Sequence, residues 1–327
     1  MLKRTGYRWL GFVVIAMALV VIGVPALLVR GCTWESREPV QKGGLQVKLQ
    51  VSPEQVVSLP LEQYLIGVVA AEMPASFEQE ALKAQTVAAR TYTLMRLERE
   101  SPDEKHPNAQ LCADPGHCQA WINNAEMRKR WGVLGFRSNY KKITTAVEAT
   151  KSQVLTFNGE LIDPVYHSSC GGRGTEDAQD VWSQEVPYLK GVPCTFDTPQ
   201  KQEPVITRFT NEDLFARVGI ADTAVPAAAG TSGVVEIQKL TESGRVKSVK
   251  VGSRVYRGVD LRKSLGLRST DFKVTAQGEE IIFSTRGYGH AVGMCQYGAD
   301  GLASRGAQYN QILAHYYRGT KLEKVPR

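Results

Sequence analysis

The chain has no internal repeat and no low-complexity tract, so it is neither a repeat array nor a flexible linker sequence. It has only six cysteines in 327 residues, and a chain of this length does not need a disulfide framework to fold. It also lacks the strand-to-helix nucleophile elbow of the α/β-hydrolases. Charge is missing from one long stretch, because the 21 residues from Trp9 to Val29 are all uncharged.

As a helix, this uncharged stretch is roughly 31 Å long, which is enough to cross the core of a bilayer. Lys3, Arg4 and Arg8 precede it, and such a basic flank predicts a cytoplasmic N-terminus with the bulk of the chain exported. A cleaved signal peptide is the alternative, but the apolar run is long for one and no convincing cleavage site follows it. The sequence therefore predicts a cytoplasmic tail (residues 1–8), a single transmembrane anchor (residues 9–29) and a linker (residues 30–44). We accordingly expect a single-pass protein of the cell membrane.

The formal net charge of +7 favours an anionic partner: nucleic acid, anionic lipid or a bacterial wall polymer. Helical patterns come early in the remaining chain and strand patterns come later, which predicts an α+β domain rather than a βαβ series. We expect a catalytic lobe over residues 45–195, a β-rich second lobe or insertion over residues 196–275, and a C-terminal segment over residues 276–327 that completes the catalytic cleft.

Local patterns place individual elements within these lobes. Alternation from Leu45 to Val51 predicts a strand, and prolines at 60 and 74 bound a helix. Further expectations are a second helix from Ser76 to about Arg99, a short helix and strand within 143–157, hairpin turns at Ser243-Gly244 and Arg257-Gly258, and a last helix over 303–317.

Glu72 is a lone acid at the end of an apolar helical run, just before Pro74. A glutamate in apolar surroundings resists ionisation and can serve as a general acid near neutral pH. Lys83 and Arg90 share one face of the next helix and would favour the carboxylate if they lie close. A salt bridge at the helix end is the competing interpretation, and local spacing favours it.

Two thiols and two imidazoles lie within one polar segment: His106, Cys112, His117 and Cys118. This donor set suits tetrahedral zinc, although the spacing is not that of a zinc finger. A Cys112–Cys118 disulfide, or free thiols, explains the same pattern. In an exported chain a Cys170–Cys194 disulfide is also plausible.

Two glycine-rich segments each join a histidine to a candidate nucleophile. They run from His167 to Gly172 and from Gly289 to Tyr297. A Cys- or Ser-dependent hydrolase, for example one using Cys295 with His290, is arguable from this pairing. Sugar binding by a glycine-rich loop, or tight turns around a structural histidine, are the other interpretations.

Taken together, these segments resemble the stage II sporulation protein D family of lytic transglycosylases over nearly all of residues 45–320. The resemblance rests on Tyr64-Leu65-x-Gly67-Val68-Val69-x-x-Glu72-Met73-Pro74, Ala81-Leu82-Lys83-Ala84-Gln85-x-x-Ala88-Ala89-Arg90-Thr91-Tyr92, His167-Ser168-x-Cys170-Gly171-Gly172, Leu265-Gly266-Leu267-Arg268-Ser269-Thr270-x-Phe272 and the segment from Gly287 to Ala299. Two positions depart from the family pattern: Ala291 replaces a usual Gly, and Cys295 replaces a frequent Ser.

The resemblance implies cleavage of peptidoglycan glycan strands between N-acetylmuramic acid and N-acetylglucosamine. It implies that Glu72 is the catalytic acid and base. The residues it implies for substrate binding are Lys83, Arg90, Tyr166, Ser168, Ser169, Gly171, Gly172 and His290. It also implies zinc near the cleft, held by His106, Cys112, His117 and Cys118.

The same resemblance implies a setting, namely forespore engulfment in a sporulating bacterium. The partners it implies are the stage II sporulation proteins P, an amidase, and M; we expect no nucleic-acid partner. Because relatives of this domain modify amidases, a non-catalytic wall-binding enhancer of a partner amidase is the alternative function.

Overall fold

The computed structural model describes residues 17, 44–98, 103–197, 204–220 and 233–325. Apart from Met17, the predicted anchor and its flanks lie outside these residues. None of the helices within the described ranges is both long and apolar enough to span a bilayer. From Leu45 onward the chain forms one compact unit.

The first half of this unit is built on two packed helices beside a small sheet. Strand β1 (Gln46–Ser52) pairs with antiparallel β2 (Gln55–Pro60) and parallel β3 (Leu111–Cys112). The buried faces of helices α1 (Leu61–Glu72) and α2 (Gln79–Leu97) pack together, and the alanines of α2 allow a close approach.

Helix α1 begins directly after Pro60 and ends before Pro74, as the prolines predict. Tyr64, Leu65 and Val68 are fully buried on its inner face. Met73 is already extended, with φ −128° and ψ 137°, because a residue before proline is sterically kept out of the helical region. This early stop leaves Glu72 as the last helical residue, at an open end of the helix.

Helix α3 (Asn124–Ala149) is much longer than the short helix expected within 143–157. It starts with a reciprocal capping box between Asn123 and Glu126, and it breaks at Gly132, where φ is 68° and ψ is 172°. Before Ile143 only Met127 is buried, so this stretch carries almost no apolar periodicity and its helix was missed.

The remaining elements of the first half and of the C-terminus form one hydrophobic core with α1 and α2. Strand β4 (Gln153–Phe157) lies between β5 (Glu160–Leu161) and β14 (Lys321–Lys324). Strand β6 (Tyr166–His167) pairs in parallel with β13 (Met294–Cys295), which joins two distant segments of the chain. Helices α4 (Ala178–Trp182), α7 (Gln296–Ala303) and α8 (Tyr309–Tyr316) complete this part.

The last helix expected over 303–317 is present as α8, but it starts only at Tyr309, because a turn separates it from α7, which ends at Ala303. Gly306 lies in that turn with φ 92°, a conformation that ends a helix.

A second hydrophobic core lies in the strand-rich middle of the chain. Its elements are β7 (Val205–Thr210), α5 (Asn211–Val218), β8 (Val235–Leu240), β9 (Val246–Val251), β10 (Arg254–Arg257), α6 (Gly258–Leu265), β11 (Asp271–Gln277) and β12 (Glu280–Arg286). The strands form two three-stranded sheets around this core, with orders β10-β9-β8 and β11-β12-β7.

Two boundaries in this region differ from expectation. Arg257-Gly258 opens helix α6 instead of a hairpin, while the Ser243-Gly244 turn does join β8 to β9. Strand β12 packs into this second core through Phe283, although the pattern placed it in the C-terminal segment.

Candidate functional site

The Glu72 carboxyl group lies in a half-buried position at the end of α1. The backbone N–H of Ala120 donates to its Oε1 at 2.8 Å. The Tyr166 hydroxyl lies beside it and also acts on the carboxyl group as a hydrogen-bond partner. Burial raises the pKa of Glu72, and these two hydrogen bonds offset part of the rise. The group is thus shifted toward the protonated form.

Glu72 opens onto a cleft of about 520 Å³. The walls come from distant parts of the chain: the turn after α1, the middle of α3, the loop after β6 and the start of α7. Its polar lining is Glu72, Ser76, Arg130, Asn139, Ser168 and Gln296, and its aromatic lining is Trp131 and Tyr297. Among the residues described, Glu72 is the single carboxylate in this lining.

Arg130 is the cation of the cleft. Its Nη1 donates to the carbonyl of Ala70 at 2.7 Å and to that of Ala71 at 3.3 Å. These carbonyls end α1, so a positive charge there satisfies orphan acceptors and complements the helix dipole. Arg130 therefore fixes the end of the helix that carries Glu72.

Lys83 and Arg90 do not lie in the cleft, which corrects the sequence expectation. Arg90 is fully buried; its Nη2 pairs with Glu62 at 2.6 Å, and its Nη1 donates to the carbonyl of Thr150 at 2.8 Å. Lys83 pairs with Glu80 at 2.6 Å on its own helix. Helical spacing correctly predicted that Lys83 and Arg90 share one helix face. Their carboxylate partners, however, are Glu80 and Glu62, not Glu72.

The β6 loop supplies the cleft with some of the expected residues. Tyr166 contacts Glu72, and Ser168 lines the cleft. Gln119 holds Tyr166 in place, because its Nε2 donates to the Tyr166 hydroxyl at 2.9 Å. Of the residues expected to bind substrate, the structure thus brings Tyr166 to Glu72 and Ser168 into the cleft, and substrate binding by them stays a prediction.

The other expected binding residues point elsewhere. The Ser169 hydroxyl and the Gly171 N–H both donate to the buried Asp197, at 2.6 and 3.0 Å. Neither these two nor Gly172 lines the cleft. They shape the loop from within instead of presenting donors to a ligand.

His290 is likewise outside the cleft lining. Its Nδ1 accepts the N–H of Val292 at 3.1 Å, and its ring packs against His167 and Trp182. Burial, followed by the charge of Arg262, lowers its pKa to about 4. Its neutral ring is part of the packing of the glycine-rich segment.

His106, Cys112, His117 and Cys118 converge as the sequence predicted. Their ligand atoms lie within 4.8 Å of one another. Three sulfur–nitrogen separations are 3.5, 3.5 and 3.6 Å, close to the edge of about 3.5 Å expected of a tetrahedron with ordinary Zn–S and Zn–N bonds. Both thiols are free, so the structure contains no Cys112–Cys118 disulfide.

In each of these two imidazoles, the ring nitrogen that does not face the thiols also has a partner, as expected of a metal site. His106 Nδ1 lies 3.0 Å from the carbonyl of Ala109, and His117 Nε2 lies 3.2 Å from an Asp103 carboxylate oxygen. Such contacts fix a histidine tautomer so that the other nitrogen can bind metal. The donor set therefore fits zinc.

The plausible Cys170–Cys194 disulfide is wrong for this structure. Both thiols are free and buried, and Cys295 lies next to them. Because each of the three sulfurs lies near both of the others, no single pair of cysteines stands out. The spacing of cysteines in the sequence could not show this.

Sequence reasoning missed Arg130, Trp131, Asn139 and Gln296. The first three lie on the exposed part of α3, where a polar stretch gives no signal of a site. Gln296 lies inside the recognised glycine-rich segment, and its contact with the buried Gln85, at 3.2 Å, comes from a helix over two hundred positions earlier.

The chain is similar to known proteins over most of its length. The profile of a family described as SpoIID, stage II sporulation protein, matches residues 50–157. The stage II sporulation protein D of Bacillus subtilis (strain 168) is 35% identical over 298 residues, covering 89% of this chain and 84% of that protein. That of Bacillus amyloliquefaciens is 34% identical and covers 84% of this chain and 78% of its own length. The amidase enhancer of Bacillus subtilis is 32% identical over 79% of this chain but only 40% of its own length.

Proposed function

From the premise that the chain belongs to the stage II sporulation protein D family, we propose that it is a lytic transglycosylase acting on peptidoglycan glycan strands during forespore engulfment. The family name supports a role in sporulation, and the similarity to an amidase enhancer supports a link to the cell wall. One observation carries the activity: within the part of the chain that the structure describes, a single carboxyl group, with a raised pKa, opens onto the cleft.

A single acid is the right number for this reaction. A hydrolytic glycosidase usually places two carboxyl groups on either side of the scissile bond. In lytic cleavage the 6-hydroxyl of the muramic acid attacks its own anomeric carbon, so no water needs to be activated. One group can then act first as acid and afterwards as base.

In the proposed mechanism, protonated Glu72 donates its proton to the departing glycosidic oxygen. The resulting carboxylate then takes the proton of the 6-hydroxyl as the C1–O6 bond forms, which leaves a 1,6-anhydro end. The Ala120 N–H and the Tyr166 hydroxyl stabilise the carboxylate between the two steps. Arg130 and Trp131 line the same cleft, and we propose that they contact the sugar units.

We further propose that zinc binds His106, Cys112, His117 and Cys118 as a structural ion. Four protein ligands close the coordination sphere, and a closed site supplies folding energy rather than an activated water. Gln119 and Ala120 follow Cys118 directly, and they contact Tyr166 and Glu72. Holding this segment is the role that we assign to the ion.

We also propose a single-pass membrane location for the full chain, with residues 9–29 as the anchor. Stage II sporulation proteins P and M are the partners that we propose from the family resemblance. The anchor keeps the cleft close to the wall layer that faces the membrane.

Incubating denuded glycan strands with the purified chain tests the activity. We expect products that end in 1,6-anhydromuramic acid, each lighter by one water than the hydrolytic product. Reducing ends would contradict the mechanism, since they require attack by water.

A non-catalytic enhancer of an amidase is the second candidate, because an amidase enhancer is among the relatives. The two functions differ in what the chain does alone. If no muropeptides appear without an added amidase, and amidase activity rises when the chain is added, the enhancer function is correct and the lytic activity is not.

A further inference from the structure

A second group of candidate metal ligands lies in the first hydrophobic core, apart from the His106 group. Cys170, Cys194 and Cys295 are each at most 1% exposed, and their sulfurs lie within 4.8 Å of one another. They come from three separate segments: Cys170 from the loop after β6, Cys194 from the loop after α4, and Cys295 from the end of β13. Folding therefore brings three thiols together away from solvent.

A carboxylate completes this group. Asp197 is 3% exposed, and its Oδ2 lies 3.6 Å from the sulfur of Cys170 and 3.8 Å from that of Cys295. The edge between sulfur and oxygen in a tetrahedral zinc site is about 3.5 Å. We propose that Cys170, Cys194, Cys295 and Asp197 form a second metal site, which holds a structural zinc ion.

The distances between the sulfurs are compatible with this site. Sulfurs in a tetrahedral zinc site are about 3.8 Å apart. With all three sulfurs within 4.8 Å of one another, no pair has to close by more than about 1 Å. Side-chain rotation suffices for such a change, and no backbone segment has to cross another.

Hydrogen bonds point at the sulfurs and at the carboxylate from outside the group. The N–H groups of Cys170 and Gly298 donate to Cys295 Sγ at 3.2 and 3.3 Å, and the Tyr316 hydroxyl lies 3.2 Å from Cys194 Sγ. N–H and O–H donors favour a thiolate, and outer contacts of this kind orient metal ligands.

The oxygen ligand is oriented in the same way. The Ser169 hydroxyl and the Gly171 N–H donate to Asp197 Oδ2 at 2.6 and 3.0 Å. These two hydrogen bonds hold the carboxylate toward the sulfurs of Cys170 and Cys295. Ser169 and Gly171, which do not line the cleft, therefore orient a ligand of this site.

Space around the group is closed on the side of α7. A Cβ at Gly298 would collide with both Cys194 Sγ and the Tyr316 hydroxyl. Only glycine fits there, so the helix backbone itself forms part of the wall of the site. A closed site with protein ligands alone is typical of structural zinc.

A disulfide explains this group less well. It would use two of the three thiols and leave the third thiol and the Asp197 carboxylate outside the bond, although all four groups converge. A divalent cation can bind all four donors at once.

The site also joins the two segments that build one wall of the Glu72 cleft. Ser168 lies two residues before Cys170, while Gln296 and Tyr297 follow Cys295 directly. An ion bound to both cysteines would tie these segments together.

Metal analysis of the full-length chain, purified in detergent without chelators, tests the site. We expect about two zinc ions per chain in the wild type. The Cys112→Ser/Cys118→Ser double variant removes the other candidate site, so it should keep about one ion that reports on this group alone. Cys170→Ser should lose that ion in the double-variant background, while Cys32→Ser should lose none.

Cobalt substitution protects the test against a variant that does not fold. Asp197→Cys replaces the oxygen ligand with a fourth sulfur, so the thiolate-to-cobalt charge-transfer absorption should rise by about one third over that of the double variant. A double variant that is folded by circular dichroism but binds no zinc overturns the site, and so does a wild-type chain that binds only one zinc ion, whatever the fate of the catalytic proposal. So does a wild-type mass that is two hydrogens lower, with a disulfide mapped within the group.

Discussion

Replacing Glu72 by glutamine separates the acid–base chemistry of this side chain from its packing. The amide has nearly the same shape, and its oxygen can still accept the N–H of Ala120 that now donates at 2.8 Å. What is lost is the proton that the mechanism transfers twice. General acid–base catalysis by a positioned group is worth ~10²–10⁴ in rate, so kcat should fall by that factor, about 3–5 kcal/mol of transition-state stabilisation.

Stability should move in the opposite direction. Burial raises the folded-state pKa of Glu72 above its unfolded value, so the folded state binds the proton more tightly. This contribution is fully present below the unfolded pKa and is lost as the pH rises through the folded pKa. Neutral pH lies above the unfolded pKa, so this contribution is no longer fully present there, and Glu72→Gln should melt at the same temperature as the wild type or higher.

The assay pairs two readouts on the same samples. Chromatography with mass detection follows the release of anhydro-ended saccharides from denuded glycan strands, and circular dichroism follows thermal unfolding. Glu54→Gln is the matched control, because Glu54 is an exposed residue outside the cleft and should change neither quantity. A Glu72→Gln protein that is folded and keeps wild-type activity would refute the assignment of Glu72.

Other expectations follow from the same contacts. The Tyr166→Phe variant removes a hydrogen bond that lowers the pKa of Glu72, so the pH at which kcat/KM declines should move upward; an unchanged profile would contradict the contact. Lys83→Ala should leave kcat unchanged and cost less than ~1 kcal/mol, because Lys83 forms a partly exposed ion pair outside the cleft; a tenfold loss of kcat would restore it to the site. Arg90→Met should lower the free energy of unfolding by about 3 kcal/mol in urea titrations, with unchanged kcat per folded molecule, since it breaks buried charge contacts. Chelation of zinc, or Cys118→Ser, should lower both the melting temperature and the activity, and restored metal should reverse the chelation effect; equal activity with and without metal would contradict the structural role of the ion.

The sequence predicted best where one physical constraint decides the outcome. Pro60 and Pro74 bound α1 in the structure as expected, and that is what leaves Glu72 at a helix end. The His106 to Cys118 segment converged because its four donors are close in the chain. Local constraints of this kind need no knowledge of the tertiary fold.

Prediction failed where the partner of a residue comes from far along the chain. The spacing of Lys83 and Arg90 correctly gave a shared helix face, but it carries no information on what that face meets. Glu62 lies 28 positions before Arg90, and the two form a pair that only packing of α1 on α2 creates. The thiol group was missed for the same reason, since Cys295 lies 125 positions after Cys170.

The electrostatics of Glu72 changed most between sequence and structure. The sequence offered two cations on the next helix, Lys83 and Arg90, which would lower the pKa of Glu72 and favour its carboxylate if they lay close. In the structure its partners are neutral donors, the Ala120 N–H and the Tyr166 hydroxyl, and burial dominates. Neutral donors stabilise the carboxylate without forcing it to persist, whereas a paired cation would hold the proton off throughout the cycle. A group that has to give up a proton and then take one back needs this balance, so moving Lys83 and Arg90 out of the cleft strengthens the case for Glu72 as both acid and base.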